Sequence, residues 1–355
     1  MAGRNRQIVL ARRPVGTPVV EDFALRDAPM PSPGAGQVLL RHLYLSLDPA
    51  IRGWMSEARS YLPPIAIGAP VRSGTLSEVV ESNLPAWPTG TLVQALAAWE
   101  EHSVVGKDAL LGRIEPSPDI PLATMLSVLG GNGLTAYFGL FDVGQPKPGE
   151  TVLVSAAAGG VGSVVGQLAR RHGCRAVGLT STPDKCAFLT DELGYDAAIP
   201  YKAYEPGAPL SRAIKDACPA GVDVFFDSVG GPILDAALSR LNVGARVALC
   251  GAISQINATE PPPGPRNYLQ LLAKRARMQG FITLDFAARY DEARRHLREA
   301  ILDGSLRYRD DIVEGLENAP AHLLRLFSGD HVGKLMVHLA DPSTPAKHRT
   351  STEQG

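Results

Sequence analysis

At 355 residues the chain can hold one large domain or two ordinary ones, and its 45% hydrophobic and 20% charged content is that of an average globular protein. A formal net charge of -1 supplies no basic surface for nucleic acid or an acidic membrane. The four cysteines, Cys174, Cys186, Cys218 and Cys250, contain no C-x-x-C pair, which argues against a zinc ribbon or a disulfide framework and for small buried hydrophobes.

The eight histidines are scattered, with no H-x-x-x-H pair beside an acid, so no metal site is predicted. Between Met1 and Leu10 the only apolar run is Ile8 to Leu10, too short for a secretory signal. No stretch approaches the roughly 20 apolar residues of a membrane span. The chain is therefore expected in the cytosol.

Up to about Leu129, short β-type runs such as Gln7–Leu10, Val38–Tyr44 and Thr91–Ala95 are broken by Pro29, Pro31, Pro33, Pro63 and Pro64. That is the pattern of a curled, partly barrel-like β domain. From Thr151 strands and helices alternate. Thr151–Ser155 reads as a buried strand, Val161–His172 as a helix rich in small residues, Arg175–Thr180 as a strand and Pro183–Leu193 as a helix. The unit recurs as strand Val222–Asp227, helix Pro232–Leu241, strand Ala245–Leu249, helix Tyr268–Arg275 and strand Met278–Thr283. Such alternation predicts an α/β fold with a doubly wound parallel sheet. After a long helix Phe286–Asp303 the pattern returns to glycine-punctuated β, ending in Lys334–Leu339, which is predicted to rejoin the N-terminal domain. The expected organisation is 1–129 for the first part of the β-rich domain, 130–303 for the doubly wound domain, 304–340 for the return, and 341–355 for a polar, disordered tail.

The strongest local signal is VLVSAAAGGVGSVVGQLA, Val152 to Ala169, which follows a strand and opens a helix. A dinucleotide fingerprint must lie in that context, and Ala157, Gly159 and Gly162 occupy its three small positions. The helix N-terminus would offer free N–H groups and partial positive charge to a pyrophosphate. Enzymes that use NADH usually end the second strand on Asp or Glu, to hold the ribose 2′-hydroxyl. Here that strand runs into Thr180, Ser181 and Thr182, with Lys185 soon after. Hydroxyls and an ammonium suit a 2′-phosphate, so NADPH is the expected cofactor; Asp184 reads as a first-turn helix charge. On the residues alone, Lys185 reads equally well as a solvated helix lysine.

Over nearly its whole length the sequence resembles the zinc-free medium-chain dehydrogenase/reductase family, in its branch of prostaglandin, alkenal double-bond and curcumin reductases. The stretches that carry the resemblance are LSLDPAIRGWM (Leu45–Met55), LTAYFGL (Leu134–Leu140), AAGGVGS (Ala157–Ser163), DVFFDSVGG (Asp223–Gly231), CGAIS (Cys250–Ser254), RMQGF (Arg277–Phe281) and GLENAP with LFSGDHVGK (Gly315–Lys334). The resemblance implies a GroES-like catalytic domain built from both chain ends, a Rossmann-type domain between them, cofactor in the cleft, and a homodimer.

It also implies site residues. Gly159, Gly160, Val161 and Gly162 would cradle the pyrophosphate, Lys185 would meet the 2′-phosphate, and Tyr201 would pack near the adenosine. Without the family, Tyr201 reads as a core aromatic. Ser228 stands where the family often has Asn; Cys250, Gly251, Ala252, Ile253 and Ser254, with Phe281, Ile282 and Thr283, would line the nicotinamide and its ribose. His331 replaces the usual Asn near the carboxamide, and on its own is an ordinary loop histidine. The substrate pocket would involve Ala50, Tyr61, Ile256 and Ala273. Three of these depart from the family, whose tyrosines are replaced by Ala50, Ile256 and Ala273.

The zinc-dependent relatives need a cysteine ligand near Asp48, and this chain has none before Cys174. The activity implied is hydride transfer from NADPH to the β carbon of an enone or enal. Charge building on the carbonyl oxygen would be met by a ribose hydroxyl, backbone N–H groups or water, and a solvent proton would reach the α carbon. No side-chain acid is required, and His331 is the one weak candidate. The alternatives are an NADPH quinone reductase of the same superfamily and a non-catalytic NADPH-binding sensor.

Overall fold

Residues 3–58, 60–204 and 208–343 are described by the structure, a computed structural model. Residues 344–355, most of the expected tail, lie outside the described residues. The chain divides into two units: Met1–Leu126 with Ile312–Leu326 and Leu335–Gly355, and Ser127–Asp311 with Phe327–Lys334.

In the first unit β1 (Arg4–Leu10) and β2 (Phe23–Pro29) form a separate antiparallel ribbon. The main sheet begins with β3 (Gln37–Ser46), β4 (Arg72–Ser82), β5 (Leu92–Ala98), β6 (His102–Gly106) and β7 (Leu110–Ile114). Register shifts between β3 and β4 at Leu39/Leu40 and His42/Tyr44 curl it, as bulges do. One face buries Val38, Leu40, Val79, Val93 and Ala95 as a common core.

Between two of these strands lies a buried polar chain. His42 is 1% exposed, with Nδ1 2.7 Å from Ser77 Oγ and Nε2 2.8 Å from Ser103 Oγ. Ser103 in turn donates to Glu100 at 2.5 Å. Since the Ser103 proton is committed to a carboxylate, the neutral His42 carries its own on Nε2. Burial, with the neighbouring His102 as a lesser cause, pushes the His42 pKa down to about 3.

The second unit holds β8 (Thr151–Val154), β9 (Arg175–Thr180), β10 (Ala197–Pro200), β11 (Val222–Asp227), β12 (Leu241–Leu249) and β13 (Arg277–Gly280). They make one six-stranded sheet in the order β10-β9-β8-β11-β12-β13, every pair parallel. This is the doubly wound arrangement, with its switch point between β8 and β11. Leu153, Val177, Phe225 and Val247 fill the centre of the core.

The chain then closes the first unit's sheet with β14 (Asp310–Glu314) and β15 (Lys334–His338). Met336, Val337 and His338 pair antiparallel with Ser46, Leu45 and Tyr44 of β3, and Met336 joins a core with Leu43 and Leu76. The β-rich sheet is thus built from both ends of the chain.

Several elements differ from expectation. β10 and the helix Ala208–Ala217 were not anticipated, because AAIP is short and poor in β-formers. The predicted helix from Phe286 starts instead as a 3-10 segment, Thr283–Arg289, and becomes α-helical over Tyr290–Leu302. Phe286 stacks on Phe138 there, at 4.6 Å and 7°, so ring packing sets the path. The helix from Pro183 is α-helical only to Ala187 and continues as a π turn, Phe188–Glu192.

Candidate functional site

The chain leaves β8 through a turn before the helix Gly162–Arg171 opens. Ala156 takes a left-handed conformation, φ 48°, and its carbonyl accepts the Gly159 N–H at 2.9 Å. A Cβ on Gly160 would stand 2.3 Å from Nδ2 of Asn132, and one on Gly162 would stand 2.5 Å from the Ala156 carbonyl oxygen. Gly162, facing backbone, has no room for a Cβ, while a side chain at Gly160 would have to displace Asn132, and the turn presents bare backbone. The helix's first N–H groups have no intrahelical acceptors, so the cradle fits an anionic pyrophosphate.

A second segment is tied to this turn. Gly333 donates its N–H to the Ala158 carbonyl at 2.8 Å and bridges Gly159. That pairing fixes the place of the half-buried His331, two residues earlier in the chain. At the end of β9, Thr182 caps the helix Pro183–Ala187 by accepting the Lys185 N–H at 3.4 Å. Lys185 Nζ donates to the Gly329 carbonyl at 2.6 Å. Tyr201 is half-buried and packs against the sheet core, its phenol pKa pushed up by burial.

Across the switch point Asp227 is fully buried. Its Oδ1 accepts the Ser155 hydroxyl at 2.8 Å, the Val229 N–H at 2.9 Å and the Gly230 N–H at 3.1 Å. Burial raises its carboxyl pKa, while the two amides and the Ser155 hydroxyl pull it back down. The main-chain oxygen of Asp227 accepts the N–H groups of Cys250 at 2.8 Å and Gly251 at 3.1 Å. Ser228 Oγ is shielded and makes no hydrogen bond of good geometry. The Cys250 thiol, for which the Ser228 hydroxyl is a hydrogen-bonding neighbour, is pushed up to about 12 by burial, and is therefore unreactive at neutral pH.

Beyond these, Gly251, Ala252 and Ser254 are exposed, while Ile253 packs on the core. Phe281 meets Phe226 edge-on at 6.2 Å, Ile282 is exposed, and Thr283 Oγ1 lies 2.6 Å from Thr135 Oγ1. The structure thus gathers the proposed pyrophosphate turn with the His331 segment, and Ser228 with the Cys250–Ser254 loop. Asn132 and Asp227 were missed from the sequence. Asn132 shows only through its contact with Gly160, and Asp227 reads as an ordinary strand end.

The substrate-pocket candidates are placed as follows. In the first unit Ala50 opens the short helix Ala50–Trp54, and Tyr61 is half-exposed, edge-on to Trp54 at 6.1 Å. In the second, Ile256 is half-buried in a turn and Ala273 is exposed on the helix Leu269–Lys274. Among the described residues no three His, Cys, Asp or Glu side chains gather as a metal site, and no helix is long and apolar enough to cross a membrane.

A doubly wound parallel sheet with a glycine-rich turn at its switch point, in a chain that also carries a separate β-rich sheet, defines a medium-chain dehydrogenase/reductase. Comparison with known proteins agrees. Residues 6–112 match the family model described as the N-terminal domain of oxidoreductase, and residues 160–299 match that of zinc-binding dehydrogenase. The chain is 43% identical to the NADPH-dependent curcumin reductase of Escherichia coli (strain K12), covering 95% of this chain and 97% of the relative. It is 37% identical to the 2-alkenal reductase (NADP(+)-dependent) of Nicotiana tabacum, covering 94% and 97% respectively. The crystal structure of CurA in complex with NADPH from Vibrio vulnificus superposes with a TM-score of 0.88 at 42% identity, over 95% of this chain and 100% of that one. The chain belongs to the zinc-free medium-chain dehydrogenase/reductase family.

Proposed function

We propose that this chain is an NADPH-dependent reductase that reduces the carbon–carbon double bond of an α,β-unsaturated ketone or aldehyde. The observation that carries the reading is the bare glycine turn at the switch point with Lys185 at the end of the neighbouring strand, in a chain 43% identical to a curcumin reductase. When bound, NADPH supplies the hydride.

The protein's part is to bind and orient. Gly159 lets the backbone approach the pyrophosphate, the amides at Gly160, Val161 and Gly162 hold it, Lys185 pairs with the 2′-phosphate, and Tyr201 flanks the adenosine end. Ser228, whose shielded hydroxyl neighbours the Cys250 thiol, stands at the end of β11 on the nicotinamide-ribose half. The backbone of Cys250 to Ser254, with Phe281 to Thr283 and His331, lines the nicotinamide half. As the substrate's β carbon gains hydride, charge grows on its carbonyl oxygen, where fixed backbone dipoles stabilise it. The α carbon is then protonated from water.

The same reading makes the protein a cytosolic homodimer. β13 ends the sheet with an open edge, and Tyr268, Leu269 and Leu272 before it are 58%, 60% and 78% exposed. An unpaired edge flanked by exposed apolar side chains is a self-association surface. Light scattering is expected to give a dimer, which Leu272→Glu weakens.

The deciding assay follows NADPH oxidation against a panel of enals, enones and quinones, with product identification. Saturated carbonyl products are expected. Hydroquinone products with enones untouched would make the chain a quinone reductase, and tight NADPH binding without any oxidation would make it a sensor.

A further inference from the structure

Asp227 is not itself assigned to the cofactor, yet it joins three of the segments that carry the groups that are. Ser155 reaches it from the end of β8. Val229 and Gly230 reach it from the loop that follows β11, and Cys250 and Gly251 from the loop that follows β12. The contacts are cross-braced. Ser155 Oγ accepts the Ser228 N–H at 2.8 Å while donating to the carboxylate, and the Ile253 N–H donates to the Ser228 carbonyl at 3.2 Å. Ser254 Oγ donates to the Val229 carbonyl at 2.6 Å. Gly230 and Gly231 follow at φ 71° and 54°, conformations that pure strand or helix packing would not impose.

Four protons converge on the side chains of this hub, and each is accepted by an oxygen of Asp227 or Ser155. The exception is the shielded Ser228 hydroxyl, which has the Cys250 thiol as its neighbour and makes no hydrogen bond of good geometry. A buried network satisfied except at one atom holds that atom ready for a further partner.

We propose that Asp227, acting with Ser155, is the positioning residue for the nicotinamide half of the cofactor site, fixing the loops after β11 and β12 and aiming the Ser228 hydroxyl. The inference rests on the NADPH reading above. In a doubly wound sheet each half of the strand order serves one mononucleotide. The turn at Gly159 and Lys185 belongs to the β8–β10 half and serves the adenosine side, whereas two of the three segments that Asp227 joins are loops of the β11–β13 half, and its link to β8 runs through the Ser155 hydroxyl. The two halves of the cofactor should therefore respond differently when the hub is broken.

The test compares the affinity of Asp227→Asn for NADPH and for 2′,5′-ADP, which carries the adenosine half and its 2′-phosphate alone. An amide NH2 in place of Oδ2 faces the Gly230 N–H, 3.1 Å from that oxygen, and cannot accept from it, and the carboxylate's charge is lost as well. NADPH binding should weaken by about tenfold to a hundredfold, and 2′,5′-ADP binding should stay within about twofold. If that variant does not fold, Ser155→Ala removes one donor and the Ser228 N–H acceptor while keeping the carboxylate. It should show the same split at about threefold to tenfold. Equal weakening of both ligands in the folded variant, or no weakening of NADPH, overturns the assignment. Wild-type protein that binds neither ligand overturns the cofactor reading, and the assignment with it.

Discussion

The ammonium of Lys185 donates to the carbonyl of Gly329 across 2.6 Å. The cation proposed for the 2′-phosphate is thereby tethered to the segment whose Gly333 pairs with the glycine turn. Adenosine-side recognition and the His331 segment share one support.

Replacing this lysine should discriminate between cofactors. A charge-assisted contact to phosphate is worth roughly 1.5–3 kcal/mol, or about tenfold to a hundredfold in affinity. Lys185→Ala should weaken NADPH by that order in a fluorescence titration and leave NADH nearly unchanged. Because the substitution also frees the Gly329 carbonyl, Lys185→Gln is the companion variant; it can still donate to that oxygen but carries no charge. It should lose NADPH affinity as the alanine variant does. Equal losses for both cofactors would mean that the tether to Gly329, and not the phosphate, is what Lys185 serves.

Acid should destabilise the first unit through His42. Its folded pKa, about 3, lies below the roughly 6.5 of an exposed histidine, so the unfolded chain takes up a proton where the folded one does not. Stability from this group is present above about pH 6.5 and is lost as pH falls toward 3, by up to a few kcal/mol. Glu100, raised by burial, works in the opposite sense within the carboxylate range. The effect of His42 is therefore read between about pH 5 and 7. His42→Gln keeps a donor and an acceptor but cannot titrate, and its Tm should fall less steeply over that window than the wild type's. Parallel slopes would show that another group controls acid unfolding.

Much of this was legible in the sequence because it depends on local pattern. The turn from Ala157 to Gly162 announces itself by its glycines, of which Gly162 has no room for a Cβ beside the Ala156 carbonyl. The alternation of buried strands and helices likewise gives the parallel sheet. What stayed hidden is nonlocal. Asp227 stands in the sequence as the last residue of one strand, and only the closure of the β8, β11 and β12 loops around it reveals a hub. The same holds for His42, whose partners Ser77 and Ser103 come from two other strands. Ring stacking between Phe138 and Phe286, 148 residues apart in the numbering, decided a helix start that periodicity placed too early.

Metal removal should leave activity intact. The described residues contain no cluster of three His, Cys, Asp or Glu side chains, and the sequence has no cysteine before Cys174. Turnover should survive exhaustive dialysis against a chelator, and elemental analysis should find no stoichiometric zinc. Activity lost on dialysis and restored by added zinc would defeat the metal-free mechanism.

The proton of the reduction should come from solvent. Ala50, Ile256 and Ala273 stand where the family resemblance implies tyrosines, and a phenol at a developing enolate would contribute about a few kcal/mol in a dry site. With no essential side chain titrating, turnover should vary little between about pH 6 and 8. His331 is the group that could contradict this, because an unperturbed histidine titrates near pH 6.5 and its segment is pinned beside the glycine turn. Turnover–pH profiles for the wild type and His331→Asn decide the matter. A clear ionisation in the wild type that disappears in the variant, together with most of the activity, would make His331 the acid. Ala273→Tyr restores a phenol at a position that is exposed on its helix, so overpacking does not limit it. Turnover of small enals by that variant should equal or exceed the wild type's, and a collapse in turnover with NADPH affinity unchanged would show that this surface already serves the substrate in another way.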